Sequence, residues 1–142
     1  MHLGAAIIAG LVGTAAITPL LYMGPMMGMP RMDMVGMLGT MVAPPGAAAV
    51  VLGMVMHFVL GAIFAIVYAA LWAVGLGAPT WLWGLISGFV HAVVVRGLMP
   101  VVMRMHPRRP EMALNGKATA GVIMGHLVFG LVVALVYRAI AG

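Results

Sequence analysis

His57 and His126 head two stretches of one pattern, HFVLGAIFAIVYA (57–69) and HLVFGLVVALVYRA (126–139). Each is followed at the same spacing by a glycine, an alanine and a tyrosine: Gly61, Ala65 and Tyr68 in the first, Gly130, Ala134 and Tyr137 in the second. An imidazole inside an apolar run can ligate a metal, carry a proton, or stay neutral and hydrogen-bond to a backbone carbonyl or hydroxyl. Two histidines on facing helices could supply both axial nitrogens of a b-type haem, with Arg96 meeting a propionate and His91 in support. The segment MGPMMGMPRMDMVGMLGTM holds eight methionines between Met23 and Met41, and thioethers suit Cu(I). A proton or ion path through the histidines, Tyr68 and Tyr137 is the third chemistry these side chains allow.

Other chemistries lack their residues. The chain contains no cysteine, and Asp33 and Glu111 are its only carboxylates. No Ser-His-Asp order, phosphate-binding glycine loop or His-x-x-x-His zinc pair occurs, so the expectation is a protein without enzymatic activity.

The elements that must position these residues follow from composition. Of the 142 residues, 65% are hydrophobic and 6% charged, against about a quarter charged in ordinary soluble domains. Four runs reach the roughly 20 apolar residues that cross a bilayer. They cover 3–23, 47–75, 81–105 and 118–141, predicting an all-α, four-transmembrane-helix bundle as one domain over 1–142. The first run has only His2 before it and is long for a signal peptide, so it is read as a retained helix. Within the connection 24–46, residues Met32, Val35, Met37, Leu38 and Met41 fit one apolar helical face, predicting a short amphipathic helix in the membrane interface. The turn Gly75–Thr80 is too short to separate its flanking helices, which should be antiparallel neighbours.

The net charge of +5 is an orientation signal and not a nucleic-acid one. Arg31, Arg104, Arg108, Arg109 and Lys117 fall on the side of the two longer connections, against Arg138 on the other. The positive-inside rule then places those connections in the cytoplasm, near anionic lipid headgroups, and both termini outside the cytoplasmic (inner) membrane. Trp72, Trp81 and Trp83 flank the turn as an aromatic belt would.

At about 100° per residue, His, Gly, Ala and Tyr of each stretch share one stripe. Gly61 with Ala65 and Gly130 with Ala134 let another helix approach closely. The match extends to the connections PRMDM (30–34) and PRRPEM (107–112) and predicts two tandem two-helix repeats in parallel orientation. With a rise of about 1.5 Å per residue, His57, His126 and Arg96 lie roughly 12–16 Å from the cytoplasmic ends of their spans and His91 roughly 21 Å. An arginine at that depth can snorkel, pair with Asp33 or meet an anionic ligand group.

The series MGMPRMDMVGMLG, MHFVLGAIFAIVYA, MRMHP and GHLVFGLVVALVY resembles a group of small, uncharacterised bacterial four-helix membrane proteins, over most of the chain. That resemblance implies an integral membrane protein with no assigned reaction. The expected role is an accessory or assembly subunit of a membrane complex or a homo-oligomer. The alternatives are a haem- or metal-binding redox protein using His57 and His126, and an ion pathway.

Overall fold

The computed structural model describes residues 1–111, 113 and 115–142. It contains α1 (Leu3–Met23), a 3-10 turn (Gly24–Met27), α2 (Met34–Thr40), α3 (Ala47–Ala73), α4 (Trp81–Met105) and α5 (Gly116–Ala141). Four of these helices are long and apolar enough to cross a membrane. α3 ends at Ala73 and not at 75, because Gly75 turns the chain in a left-handed conformation at φ 86°. α5 begins at Gly116, ahead of the expected 118, because the Asn115 side chain caps it by accepting from the Ala118 N–H at 3.0 Å. Met112, the last residue of PRRPEM, lies outside the described residues.

The distribution of side chains is that of a membrane protein. In α1 the buried positions are Ala5, Ala6, Ala9, Gly10, Gly13, Thr14 and Ile17, while Ile7, Ile8, Leu11 and Val12 face outward. Small residues inside and large aliphatics outside invert the pattern of a water-soluble bundle. Between helices in lipid there is no hydrophobic drive, so close backbone approach supplies the packing energy and lipid solvates the large side chains. The chain is a multi-pass membrane protein.

Glycines set which helices touch. A Cβ on Gly10 of α1 would stand 2.5 Å from the Gly61 carbonyl oxygen of α3, and one on Gly61 would run into Thr14 Oγ1. On the other side, a Cβ on Gly130 of α5 would run into the Gly84 carbonyl of α4, and one on Gly84 would stand 2.6 Å from the Gly130 oxygen. α1 also packs on α5, where Gly13 faces Phe129 and Val133. The order around the bundle is therefore α3, α1, α5, α4.

This order corrects the expectation that the helices flanking Gly75–Thr80 are packed neighbours. Among the described residues the backbones of α3 and α4 scarcely approach; side chains alone bridge them, chiefly Phe64 and Tyr68 against His91. A short connection fixes antiparallel direction but not contact, and the glycine faces of both helices are turned to α1 and α5.

The short helix in the methionine-rich connection forms, but its apolar face is not laid on lipid. Val35, Met37 and Leu38 are buried. Gly39 lies against the Ala49 carbonyl, and Gly53 of α3 against the Val35 carbonyl, so α2 packs on the first turns of α3. Its Asp33 N-cap accepts from the Gly36 N–H at 2.8 Å. The α4–α5 connection closes over it: His106 Nε2 donates to the Met37 carbonyl at 2.9 Å, and Arg108 to the Thr40 carbonyl at 2.6 Å. Both long connections thus form one bonded structure at the same end of the bundle.

At the opposite end Trp81 and Trp83 are exposed, as interfacial tryptophans should be. Trp72 departs from the expected belt. It is buried, packed between Tyr68 and Tyr137 in tilted and edge-on contacts at 6.0 and 5.7 Å between ring centroids.

Candidate functional site

Because α3 and α4 are held apart, space remains between the four helices. It forms a cavity of about 250 Å³. Thr14 and Ile17 line it from α1, His57, Gly61 and Phe64 from α3, His91 and Met99 from α4, and Gly125, His126 and Phe129 from α5. Met32, Met34, Met37 and Leu38 close it at the connection end.

Its wall is apolar except for three imidazoles and Thr14. The Thr14 hydroxyl is spent within α1, donating to the Gly10 carbonyl at 2.8 Å. Each histidine is positioned differently. His126 Nδ1–H donates to the Val122 carbonyl one turn back at 2.7 Å, which in the neutral ring leaves Nε2 as a lone-pair acceptor. His91 Nδ1 is 3.0 Å from the Tyr68 hydroxyl, which also lies 3.2 Å from the Ser87 carbonyl. A hydroxyl has a single hydrogen. When Tyr68 donates to Ser87, His91 Nδ1–H donates to Tyr68 and its Nε2 is an acceptor; when Tyr68 donates to Nδ1, Nε2 carries the proton.

His57 and His91 are both 9% exposed, and the Nε2 atoms of both are buried with no hydrogen-bond partner among the described residues. A buried polar atom left unmatched costs about 1–3 kcal/mol. Aromatic surfaces surround them. The His91 and His126 rings meet edge-on at 4.5 Å between centroids, and Phe64 lies on His91 at 3.9 Å. Among the described residues, no three His, Asp or Glu side chains form a group that could hold a metal ion.

Of the residues singled out in the sequence, the structure brings His57, His91 and His126 to one cavity, with Tyr68 bonded behind His91. It does not bring Arg96 to them. Arg96 turns to the start of α5, its Nε donating to Thr119 Oγ1 at 2.9 Å, so neither Asp33 nor a ligand is needed to explain that bond. Tyr137 does not line the cavity either: its ring packs on Trp72, and its hydroxyl accepts from the His2 N–H at 3.0 Å. Gly61, Ala65, Gly130 and Ala134 are all buried in helix contacts within the chain.

A family model described as a family of unknown function, DUF6789, matches residues 1–142. The chain belongs to that family. No curated protein and no solved structure matches it. The family membership agrees with the resemblance to an uncharacterised family and assigns no reaction, so the chemistry of the DUF6789 chain rests on its own side chains.

Three participants were not picked out from the sequence. Phe64 and Phe129 supply ring faces beside His91, and a phenylalanine in an apolar run has nothing to distinguish it. His106, 1% exposed, holds the two connections together by accepting from the Arg108 and Arg109 N–H groups at Nδ1, both at 3.1 Å, while donating from Nε2. Its signal was available: a histidine directly before a proline at a helix end is well placed to satisfy turn amides.

Proposed function

We propose that this protein is a non-enzymatic membrane protein that binds a lipid-soluble small molecule between its helices. The observation carrying this reading is the cavity itself, lined by apolar groups yet bordered by two buried imidazole nitrogens, of His57 and His91, that none of the described residues satisfies. Concave apolar sites with a few convergent polar groups are the usual form of small-molecule sites. A role as an accessory subunit or homo-oligomer would need another face, since the small-residue stripes expected to serve it are used inside the chain. The apolar layer of Met37, Leu38 and Met99 between His106 and the three histidines does not favour an ion path.

Two further parts of the reading rest on sequence and placement together. The end bearing exposed Arg31, Arg104, Arg108, Arg109 and Lys117 faces the cytoplasm and anionic headgroups of the inner membrane. The halves α1–α3 and α4–α5 are copies of one unit, a reading supported by the glycine of each histidine stripe packing on a glycine of its partner helix, Gly61 on Gly10 and Gly130 on Gly84.

The test is photolabelling in lipid nanodiscs with a phenyl-diazirine alcohol. Adducts are expected on the cavity residues Met37, Phe64 and Met99 as well as on lipid-facing Val93 and Val94. Gly125 lines the cavity, and a Cβ there meets nothing within 4 Å. Gly125→Phe should remove the cavity adducts and leave those on Val93 and Val94. Adducts confined to lipid-facing residues in the wild-type protein would refute the reading.

A further inference from the structure

We infer that the occupant of this cavity is a quinone-type ring, a flat ring with oxygens at opposite edges, whose apolar tail leaves between α3 and α4; this rests on the cavity being a ligand site.

Size gives the first restriction. About 250 Å³ exceeds the roughly 150 Å³ cavity that holds a benzene and falls short of the roughly 300–1,000 Å³ of pockets for drug-sized ligands. One substituted ring or a fused pair fits; a macrocycle with histidines on both faces does not.

Shape gives the second. The rings of Phe64, His91, His126 and Phe129 present faces and edges to the space, while Met34, Met37 and Met99 bring thioethers to it. Aromatic edges and sulfur atoms both favour contact with a flat ring over a branched aliphatic one.

Hydrogen bonding gives the third. The unpartnered Nε2 atoms belong to different helices, His57 on α3 and His91 on α4, so they match two polar atoms on opposite edges of one ligand better than a single head group. Through Tyr68, which can donate either to the Ser87 carbonyl or to His91 Nδ1, the His91 Nε2 can be either a donor or an acceptor. A carbonyl oxygen needs the donor and a hydroxyl needs the acceptor. The site can therefore hold both the quinone and its reduced, dihydroxy form. Binding alone is inferred, with no electron transfer to the protein.

The exit gives the fourth. Leu60 and Leu98 line the cavity from α3 and α4 and are themselves exposed on the lipid side, 36% and 54%. Because the backbones of α3 and α4 scarcely approach among the described residues, parting these two side chains opens a path for a linear chain into the bilayer.

The experiment is displacement of the diazirine photolabel from Met37, Phe64 and Met99 in wild-type nanodiscs. The competitors are 2,3-dimethoxy-5-methyl-6-decyl-1,4-benzoquinone and 1-decanol, which shares its chain length but lacks the ring. The benzoquinone is expected to displace the label at a concentration at least ten-fold below that of decanol. His91→Phe, which keeps a ring but no nitrogen, should remove most of that advantage. Equal displacement by the two competitors would overturn the quinone assignment and leave the cavity a general apolar site. Failure of the label to enter wild-type protein at all would instead remove the underlying proposal.

Discussion

Gly130→Val is expected to destabilise the protein by about 3 kcal/mol or more, the upper range of overpacking effects, and to lower its thermal unfolding midpoint in detergent accordingly. A Cβ at Gly130 meets the Gly84 carbonyl oxygen and the Gly88 backbone nitrogen and Cα, the latter two at 2.8 and 2.9 Å. These are backbone atoms with no rotamer to yield, so α4 and α5 must separate. Separation is costly here because neither helix gains by leaving lipid, and close backbone approach is what holds them together. The control is Gly97→Ala on α4, where a Cβ meets nothing within 4 Å; better helix propensity there should leave stability unchanged or raise it by up to about 1 kcal/mol. Equal melting of the two variants would contradict the packing described for α4 and α5.

His106→Ala is expected to cost about 3 kcal/mol and to act locally. The imidazole bonds the buried Met37 carbonyl, which keeps a 3.2 Å bond from the Thr40 hydroxyl, and two part-buried amides, so three hydrogen bonds at about 1 kcal/mol each are lost. Arg109, held at φ 40° beside this turn, loses one of the bonds that fixes its conformation. Hydrogen exchange is the measurement. Amides of 34–41 should exchange at least ten-fold faster in the variant, while those of 126–137 in α5 stay protected. An unchanged pattern would mean that His106 does not fasten the connections.

Much of this architecture was legible in the sequence because the bilayer imposes a length and a polarity. Four apolar runs of sufficient length became four helices, with boundaries moved by two residues only where Asn115 caps α5 and Gly75 turns the chain. The stripe of His57, Gly61, Ala65 and Tyr68 is buried, and the glycine spacing in the sequence is the feature that points to close helix approach there. Helix order was not legible. Chain connectivity favoured α3 beside α4, whereas the choice was made by Gly10 and Gly13 on α1, which could be recognised as contact points only with their partners in view. Depth along the membrane placed Arg96 level with the histidines, but depth is one coordinate of three. Rotation about α4 takes Arg96 to Thr119 and His91 to the cavity. Tyr137 shares a sequence register with Tyr68 and lies near the same end of the bundle, across Trp72 from it, but its hydroxyl is taken by the His2 N–H and not by a cavity histidine.

The chemistry of the site is legible only in three dimensions. Two separate histidine motifs and a third histidine with no motif become one apolar chamber when α3 and α4 are kept apart. The sequence alone allowed haem or an ion path at the histidines and copper at the methionines of 23–41. The unmatched nitrogens of His57 and His91, the surrounding rings and the size of the space are what support the proposed small lipid-soluble ligand.

The most direct test of that claim is native mass spectrometry of the protein released from its own membranes, wild type beside Gly125→Phe. A bound small molecule of defined mass, distinct from phospholipid, present on the wild-type chain and lost from the variant, is the expected result. The same set of masses on both proteins, with phospholipid as the only adduct, would contradict it.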